Sequence, residues 1–231
     1  RKKTGFFNPT SSRIISIGNL VGFKTYNMHV IHALPKLIEI YPAITYDIYG
    51  LGPNEEFLRG LVKKLHLNDV VRFHGEVEYS KMENILRNSS IFIGSGTAIL
   101  EAAALGVPAI IGIESIEEPL TYGYISEIKG LSYNENVPYV AKVAFNTLLV
   151  SFFGDSKLRE SLSIKCQQKS EVFSVKKTVA GLENLNFHTN CQDKKLGRLE
   201  LARMYFSFLG LALKQIIARD SRFSSRRNQS F

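Results

Sequence analysis

The chain has 231 residues, of which 45% are hydrophobic and 22% charged, and it carries a net charge of +8. Fifteen Phe and ten Tyr supply the bulk of a sizeable core without any Trp, a composition that excludes a disordered or fibrous chain. No apolar run approaches the roughly 18 residues that cross a bilayer. Nine Lys/Arg against three Asp/Glu fall within 186–231, so residues 1–185 carry only +2 of the charge; such a near-neutral domain with a basic tail is no domain-wide nucleic-acid footprint. Arg1-Lys2-Lys3-Thr4 has no apolar stretch behind it and is no signal peptide. Without an initial Met it reads as continuing from upstream residues. Cys166 and Cys191 stand apart and form neither a disulfide framework nor a metal-ligand spacing, which fits a reducing cytoplasm.

In chain order, short runs rich in Ile and Val alternate with longer amphipathic stretches. Arg13–Ile17, Ile44–Tyr49, Val70–Phe73, Ile91–Ile93 and Ala109–Ile113 read as strands buried on both faces. Asn27–Ile40, Glu55–Leu65, Ser80–Arg87 and Ala98–Leu105 read as the helices between them, with Asn54 and Ser80 as N-caps. This alternation predicts an α/β, doubly wound parallel sheet with right-handed crossovers. After Gly130 the pattern turns wholly helical, with Val137–Phe153, Asp155–Lys169 and Ser170–Leu185 in succession and no strand between them. Residues 186–194 read as a linker, 196–219 as one long helix and 220–231 as a frayed end. The domains are therefore 1–185 and a basic, helical C-terminal extension, 186–231.

Ligands of open parallel sheets bind beyond the carboxyl ends of the strands. Three small-residue turns fall there: Gly18-Asn19-Leu20 followed by Lys24, Tyr49-Gly50-Leu51-Gly52-Pro53, and Gly94-Ser95-Gly96-Thr97 ahead of Ala98. Glycines there let backbone amides approach an anion, and Lys24 offers a mobile counter-charge, an arrangement suited to a phosphate ester such as a diphosphate. Ordinary turn chemistry explains each glycine equally well when taken alone. Glu101 lies one helical turn beyond Thr97. It either accepts hydrogen bonds from ribose hydroxyls or complements the helix dipole from an exposed first turn.

The order and spacing of these pieces say more than any one of them. Gly18-Asn19-Leu20…Lys24, Ile48-Tyr49-Gly50-Leu51-Gly52-Pro53, Val71-Arg72-Phe73-His74-Gly75-Glu76-Val77 and Ser95–Pro108 follow in turn. The chain thereby resembles the C-terminal, donor-binding half of a group 1 nucleotide-sugar glycosyltransferase, family 4-like, in the two-Rossmann (GT-B) architecture. The resemblance covers residues 13–180 and is most specific over Glu101-Ala102-Ala103-Ala104-Leu105-Gly106-Val107-Pro108. It implies that Lys24 pairs with the donor pyrophosphate, that Glu101 binds the ribose, that the backbone of Gly96, Thr97 and Ala98 contacts phosphate, and that Gly75, Glu76 and Val77 lie beside the base. It also implies sugar transfer to a glycan or lipid-linked acceptor with retention at the anomeric carbon, without a cofactor or metal, since Lys and helix ends stabilise the leaving diphosphate.

Two positions depart from the family pattern. The carboxylate it usually carries eight residues before Glu101, against the donor sugar, is Ile93 here, and its usual Arg beside the first glycine is Asn19. An N-terminal Rossmann domain holding the acceptor is expected either upstream or on another chain, so acceptor-side catalytic groups lie outside these residues. Two alternatives stay open: a non-catalytic nucleotide-sugar-binding partner subunit, favoured by Ile93 and Asn19, and a nucleotide-sugar epimerase of the same architecture, for which no catalytic carboxylate and His set is visible.

His29 and His32, three residues apart on a helix, read as packing or surface residues rather than metal ligands. His74, at a strand end in the Phe-His-Gly turn, reads as a turn residue or as a contact to the nucleotide. Tyr122, Tyr124 and Tyr133 read mainly as core. Between Arg203 and Lys214 lie ten uncharged residues, too few to span a membrane. They form a helix buried against the missing domain or an interfacial helix on an anionic cytoplasmic leaflet. The expected location is the cytoplasm, with peripheral membrane contact through 196–219 under the second reading.

Overall fold

The computed structural model describes residues 11–130 and 133–188. The linker and C-terminal helix expected beyond residue 188, with Cys191, lie outside them. The described residues fall into two compact units that divide after Ser174.

In the first unit, β1 (Arg13–Ile17), α1 (Tyr26–Ile40), β2 (Thr45–Tyr49), α2 (Glu55–Lys64), β3 (Val71–Phe73), α3 (Tyr79–Arg87), β4 (Ile91–Gly94), α4 (Ala98–Ala104) and β5 (Ala109–Ile111) follow in strict alternation. All pairings among the five strands are parallel, and their order is β3-β2-β1-β4-β5. The order reverses between β1 and β4, the place where an open sheet parts its crossovers to two sides.

Period-two alternation divides the apolar side chains between two faces. Ile14, Tyr46, Ile48, Ile91, Ile93 and Ile110 pack with α1 and α2 through Val30, Leu34, Leu37, Leu58 and Val62. Ile15, Tyr49, Phe92, Ala109 and Ile111 pack with α3 and α4 through Leu86, Ile99, Ala102 and Ala103. Both faces are dry, which is why the strands read as continuous apolar runs rather than alternating ones.

The region after β5 differs from expectation. Leu120–Thr121 (β6) pairs antiparallel with Val143–Ala144 (β7), so the stretch expected to be purely helical contains a strand. The helix expected over Val137–Phe153 is α5, Phe145–Gly154. Its first eight expected residues are loop and β7, because β7 pairs back onto β6 and Pro138 disfavours a helical residue before it. Asp155 caps α6 (Ser156–Ser170), accepting from the Leu158 amide at 3.0 Å. The helix expected over Ser170–Leu185 breaks at an extended Ser174. A short 3-10 turn, Glu171–Phe173, precedes the break, and α7, Val175–His188, follows it as the described part of the second unit. Asn54 stands at the N-cap of α2 without a side-chain cap bond. Ser80 lies inside α3, whose N-cap is the extended Glu78.

One polar chain crosses the α1 face. Tyr46 donates to Asn27 Oδ1 at 2.8 Å and accepts from Ser16 at 2.8 Å, and the Ser16 hydroxyl also lies 2.6 Å from the Ile93 carbonyl, so its one proton is shared between the two. These groups are buried, and the chain ties β2, β1, β4 and α1 together at a point where water cannot replace a lost partner. Tyr46→Phe therefore costs about 1–3 kcal/mol in urea unfolding. An unchanged midpoint would mean that this network contributes nothing to the sheet.

Candidate functional site

The carboxyl ends of β1, β4 and β5 converge at the switch point. Gly18 follows β1 with φ +152, and a Cβ there would lie 3.3 Å from the Lys24 Nζ. Lys24 thus lays its ammonium across the first turn, where a Cβ at position 18 would crowd it and strain the backbone. Lys24 is half-buried and has no carboxylate within ion-pair distance among the described residues. Burial lowers its pKa, and the charge of Glu114 opposes this in part. A half-buried cation without a salt-bridge partner among the described residues is a candidate for pairing with an anion.

Tyr26, the first residue of α1, forms the floor. Its ring packs so closely on Gly112 that no Cβ fits there, and its hydroxyl lies near Gly18 and Gly94. It hydrogen-bonds to Ser95, and burial drives its pKa well above the ordinary tyrosine value. The buried Ser95 donates to Glu114 Oε1 at 2.9 Å. Gly96, with φ +67, donates its amide to Asn134 Oδ1 at 3.1 Å, and its carbonyl accepts from the Tyr133 hydroxyl at 2.9 Å. Two further bonds clamp the β5 loop: Glu114 N–H to the Asn134 carbonyl at 2.9 Å, and Ser115 N–H to the Phe23 carbonyl at 2.7 Å.

The loops after β1, β2 and β3 stack backbone on backbone. Leu20 N–H donates to the Leu51 carbonyl at 2.9 Å, Gly50 N–H to the Gly75 carbonyl at 2.7 Å, and Gly18 N–H to the Tyr49 carbonyl at 3.0 Å. A Cβ on Gly50 would fall onto the Gly18 carbonyl, and one on Gly52 onto the Leu20 carbonyl. These two glycines therefore permit close loop packing, and the Gly50 amide is occupied by Gly75. Beneath them Asp47, fully buried in β2, is bonded by both Arg13 and His74. His74 stacks on Tyr49 with ring centroids 4.3 Å apart, and this fixes the start of the Gly75, Glu76 and Val77 loop.

The expected site residues thus fall into groups. Gly18 and Lys24 meet in the turn after β1, and Gly96 lies in the turn after β4, held by Asn134 and Tyr133. Gly50, Gly52 and Gly75 belong to the loop stack, and Asn19 and Glu76 are exposed beside it. Thr97 occupies the N-cap of α4 without a side-chain bond, and Ala98 opens that helix. Glu101 stands one turn further on and accepts from the Tyr79 hydroxyl of α3 at 3.1 Å.

The lesser candidates have defined places too. His29 is buried, bonded to the Glu117 carbonyl and tilted against Phe145, whereas His32 is exposed. Tyr124 is core, Tyr122 bridges the Glu135 carbonyl and the Val137 amide, and Tyr133 holds the Gly96 turn. Burial raises the pKa of the Cys166 thiol and makes it inert. No three His, Cys, Asp or Glu side chains group to hold a metal among the described residues. No described helix is long and apolar enough to cross a membrane.

Residues 1–116 match the family described as glycosyl transferases group 1. The chain belongs to that family. It is 30% identical over 117 residues to a subunit of the phosphatidylinositol N-acetylglucosaminyltransferase of Arabidopsis thaliana, a match covering 45% of this chain and 26% of the relative. It is 31% identical over 119 residues to the putative colanic acid biosynthesis glycosyltransferase WcaL of Escherichia coli K12, covering 46% of this chain and 29% of the relative. These matches thus span under a third of either relative's length. The fold is similar to that of S. aureus TarM, solved as a point mutant with fondaparinux, alpha-GlcNAc-glycerol and UDP: TM-score 0.57, 16% identity, 78% of this chain and 36% of that one. Group 1 membership agrees with the motif order, and the doubly wound sheet is the Rossmann-like fold of GT-B glycosyltransferases.

Ser95, Glu114, Tyr26 and Asn134 were not singled out by spacing, since three separate loops and one helix start bring them together. Lys24 carries a folding cost at the centre of this group. Its pKa in the folded chain lies below the ordinary 10.5, so the unfolded chain holds the proton more tightly and stability rises with pH through this group. The cost is fully present below the folded pKa and fades as pH climbs towards 10.5. Lys24→Met therefore melts at or above the parent temperature at pH 7, and the difference shrinks towards pH 10.5. A lower melting temperature for the variant at pH 7 would contradict this account of Lys24.

Proposed function

We propose that this chain is the donor-binding half of a sugar-transferring enzyme. It takes a nucleoside-diphosphate sugar and passes the sugar to a glycan or lipid-linked acceptor with retention. The observation that carries this reading is the half-buried Lys24 ammonium, without an ion-pair partner among the described residues, lying over the Gly18 turn where the strand order reverses. A diphosphate supplies the missing counter-charge there. As the bond from the anomeric carbon to the phosphate oxygen breaks and the bond to the acceptor oxygen forms, negative charge gathers on the diphosphate. A fixed ammonium in a partly desolvated site stabilises that charge more than it stabilises the ground state.

On this reading Glu101 takes the ribose hydroxyls, exchanging its bond from the exposed Tyr79 for two from the sugar, and the Gly75–Val77 loop lies beside the base. The acceptor hydroxyl, and the group that removes its proton, come from a domain upstream or on another chain. The relatives named above support the acceptor classes: one is named for colanic acid biosynthesis and another belongs to a phosphatidylinositol N-acetylglucosaminyltransferase. TarM, solved with UDP, supports a nucleoside diphosphate as the leaving group. A lipid-linked acceptor would place the enzyme at the cytoplasmic face of a membrane, in contact through 196–219. The buried Ile93 and the exposed Asn19 favour the second reading, a non-catalytic subunit that binds the same donor.

Calorimetric titration with UDP, GDP and ADP tests donor binding. One nucleotide binds selectively, and Lys24→Ala and Glu101→Ala each weaken it by about 1–3 kcal/mol. Silence towards all three would overturn the reading.

A further inference from the structure

We infer that Glu114 is the carboxylate that recognises the sugar portion of the donor, a role that β4 and its loop leave vacant, since Ile93 is apolar and buried and no carboxylate precedes Glu101 there. The inference rests on the proposed nucleotide-sugar site and names which residue of this chain senses the transferred group.

The argument begins with placement. Glu114 follows β5, two residues beyond Gly112, at the same carboxyl edge of the sheet as Lys24, whose charge it feels, and it is half-buried. Three constraints hold its loop: its own amide on Asn134, the neighbouring Ser115 amide on the β1 loop at Phe23, and the Oε1 bond from Ser95. Ser95 is itself buried and bonded to Tyr26. One side-chain bond thus orients the carboxylate and two backbone bonds hold its loop, more constraint than a solvated surface Glu receives.

Charge then decides what Glu114 meets. It attracts Lys24 but does not pair with it, as no ion pair joins the two. A carboxylate this close to a diphosphate site would repel an anion placed directly on it, so the diphosphate must sit on the Lys24 side. What Glu114 can accept is a donor of hydrogen bonds. In a nucleoside-diphosphate sugar the two polyols are the ribose on one flank of the diphosphate and the transferred sugar on the other. Glu101 stands on α4 against Tyr79 of α3, whereas Glu114 stands on the β5 loop against Ser95. One carboxylate per flank leaves the transferred sugar to Glu114. Oε1 is held by Ser95, and no bond to Oε2 is seen among the described residues, so one oxygen orients the group while the other is open to hydroxyls.

The measurement that separates sugar recognition from loop scaffolding is a ratio. The full chain is titrated with UDP, GDP and ADP, and then with UDP-glucose, UDP-N-acetylglucosamine, GDP-mannose and ADP-glucose. For the base that binds, the affinity for the nucleotide sugar is divided by the affinity for the free diphosphate. Glu114→Gln keeps the size of the side chain and an acceptor for Ser95, and it lowers this ratio about 10-fold, the effect expected from losing a charged acceptor of hydroxyl bonds. Lys24→Ala weakens both ligands together and leaves the ratio unchanged. Should the Gln variant melt early, Glu114→Asp, which keeps the charge but withdraws it by one methylene, gives the same reading. A ratio unaltered by Glu114→Gln, whether both affinities fall or neither does, would overturn the inference and make Glu114 a loop anchor. A wild-type chain that binds none of the nucleotides fails at an earlier step and removes the donor site itself.

Discussion

The loops after β1 and β2 meet backbone to backbone, and everything at the functional end of the sheet depends on that contact. Gly50 and Gly52 have no Cβ to hold the second loop off the first, so the Gly18 and Leu20 carbonyls approach to touching distance. The chain then turns tightly enough at Gly18 for Lys24 to fold back over it. Any larger residue at Gly50 would meet the Gly18 carbonyl and push the two loops apart.

A second layer supports the first. Asp47, bonded by Arg13 and His74 and roofed by Tyr49, is a buried charge that its neighbours neutralise. Buried ion pairs of this kind rarely add much stability, because desolvation offsets the attraction. The geometry points instead to orientation: His74 is tied to β2 from both its ring and its amide, which sets the direction in which the Gly75 loop leaves β3. On the other flank Tyr26 links α1 to the β4 and β5 loops. Each of these elements reaches the switch point held by at least one polar bond, and the Lys24 ammonium stands out by lacking an ion-pair partner among the described residues.

The sheet was legible because its strands are buried on both faces. A run such as Arg13–Ile17 or Ile91–Ile93 advertises itself through its Ile-rich, compact apolar character, and an amphipathic stretch such as Glu55–Leu65 through its period. The β6–β7 pair was not legible, because two residues per strand carry no period and Val143–Ala144 acquires its conformation from Leu120–Thr121 across the chain. Ser80 resembled a cap through the Glu three residues on, yet α3 starts one residue before it, at Tyr79. Lys24 and Glu101 could be proposed from spacing because one follows, and the other lies one helical turn beyond, a glycine turn that the sequence itself marks. Glu114 could not, since its meaning comes from Ser95, Phe23 and Asn134 on other loops, and no local pattern records their convergence.

The account stands or falls on Lys24 as the partner of a diphosphate at the switch point. The most direct test is a crystal structure of the chain with the nucleoside diphosphate it binds. The account predicts a phosphate oxygen about 3 Å from the Lys24 Nζ, with the ribose on Glu101 and the Tyr79 hydroxyl displaced. A nucleotide found elsewhere, for example in the hollow lined by Arg59, Asn68 and Arg72 beyond β3, with Lys24 still unpaired, would contradict it.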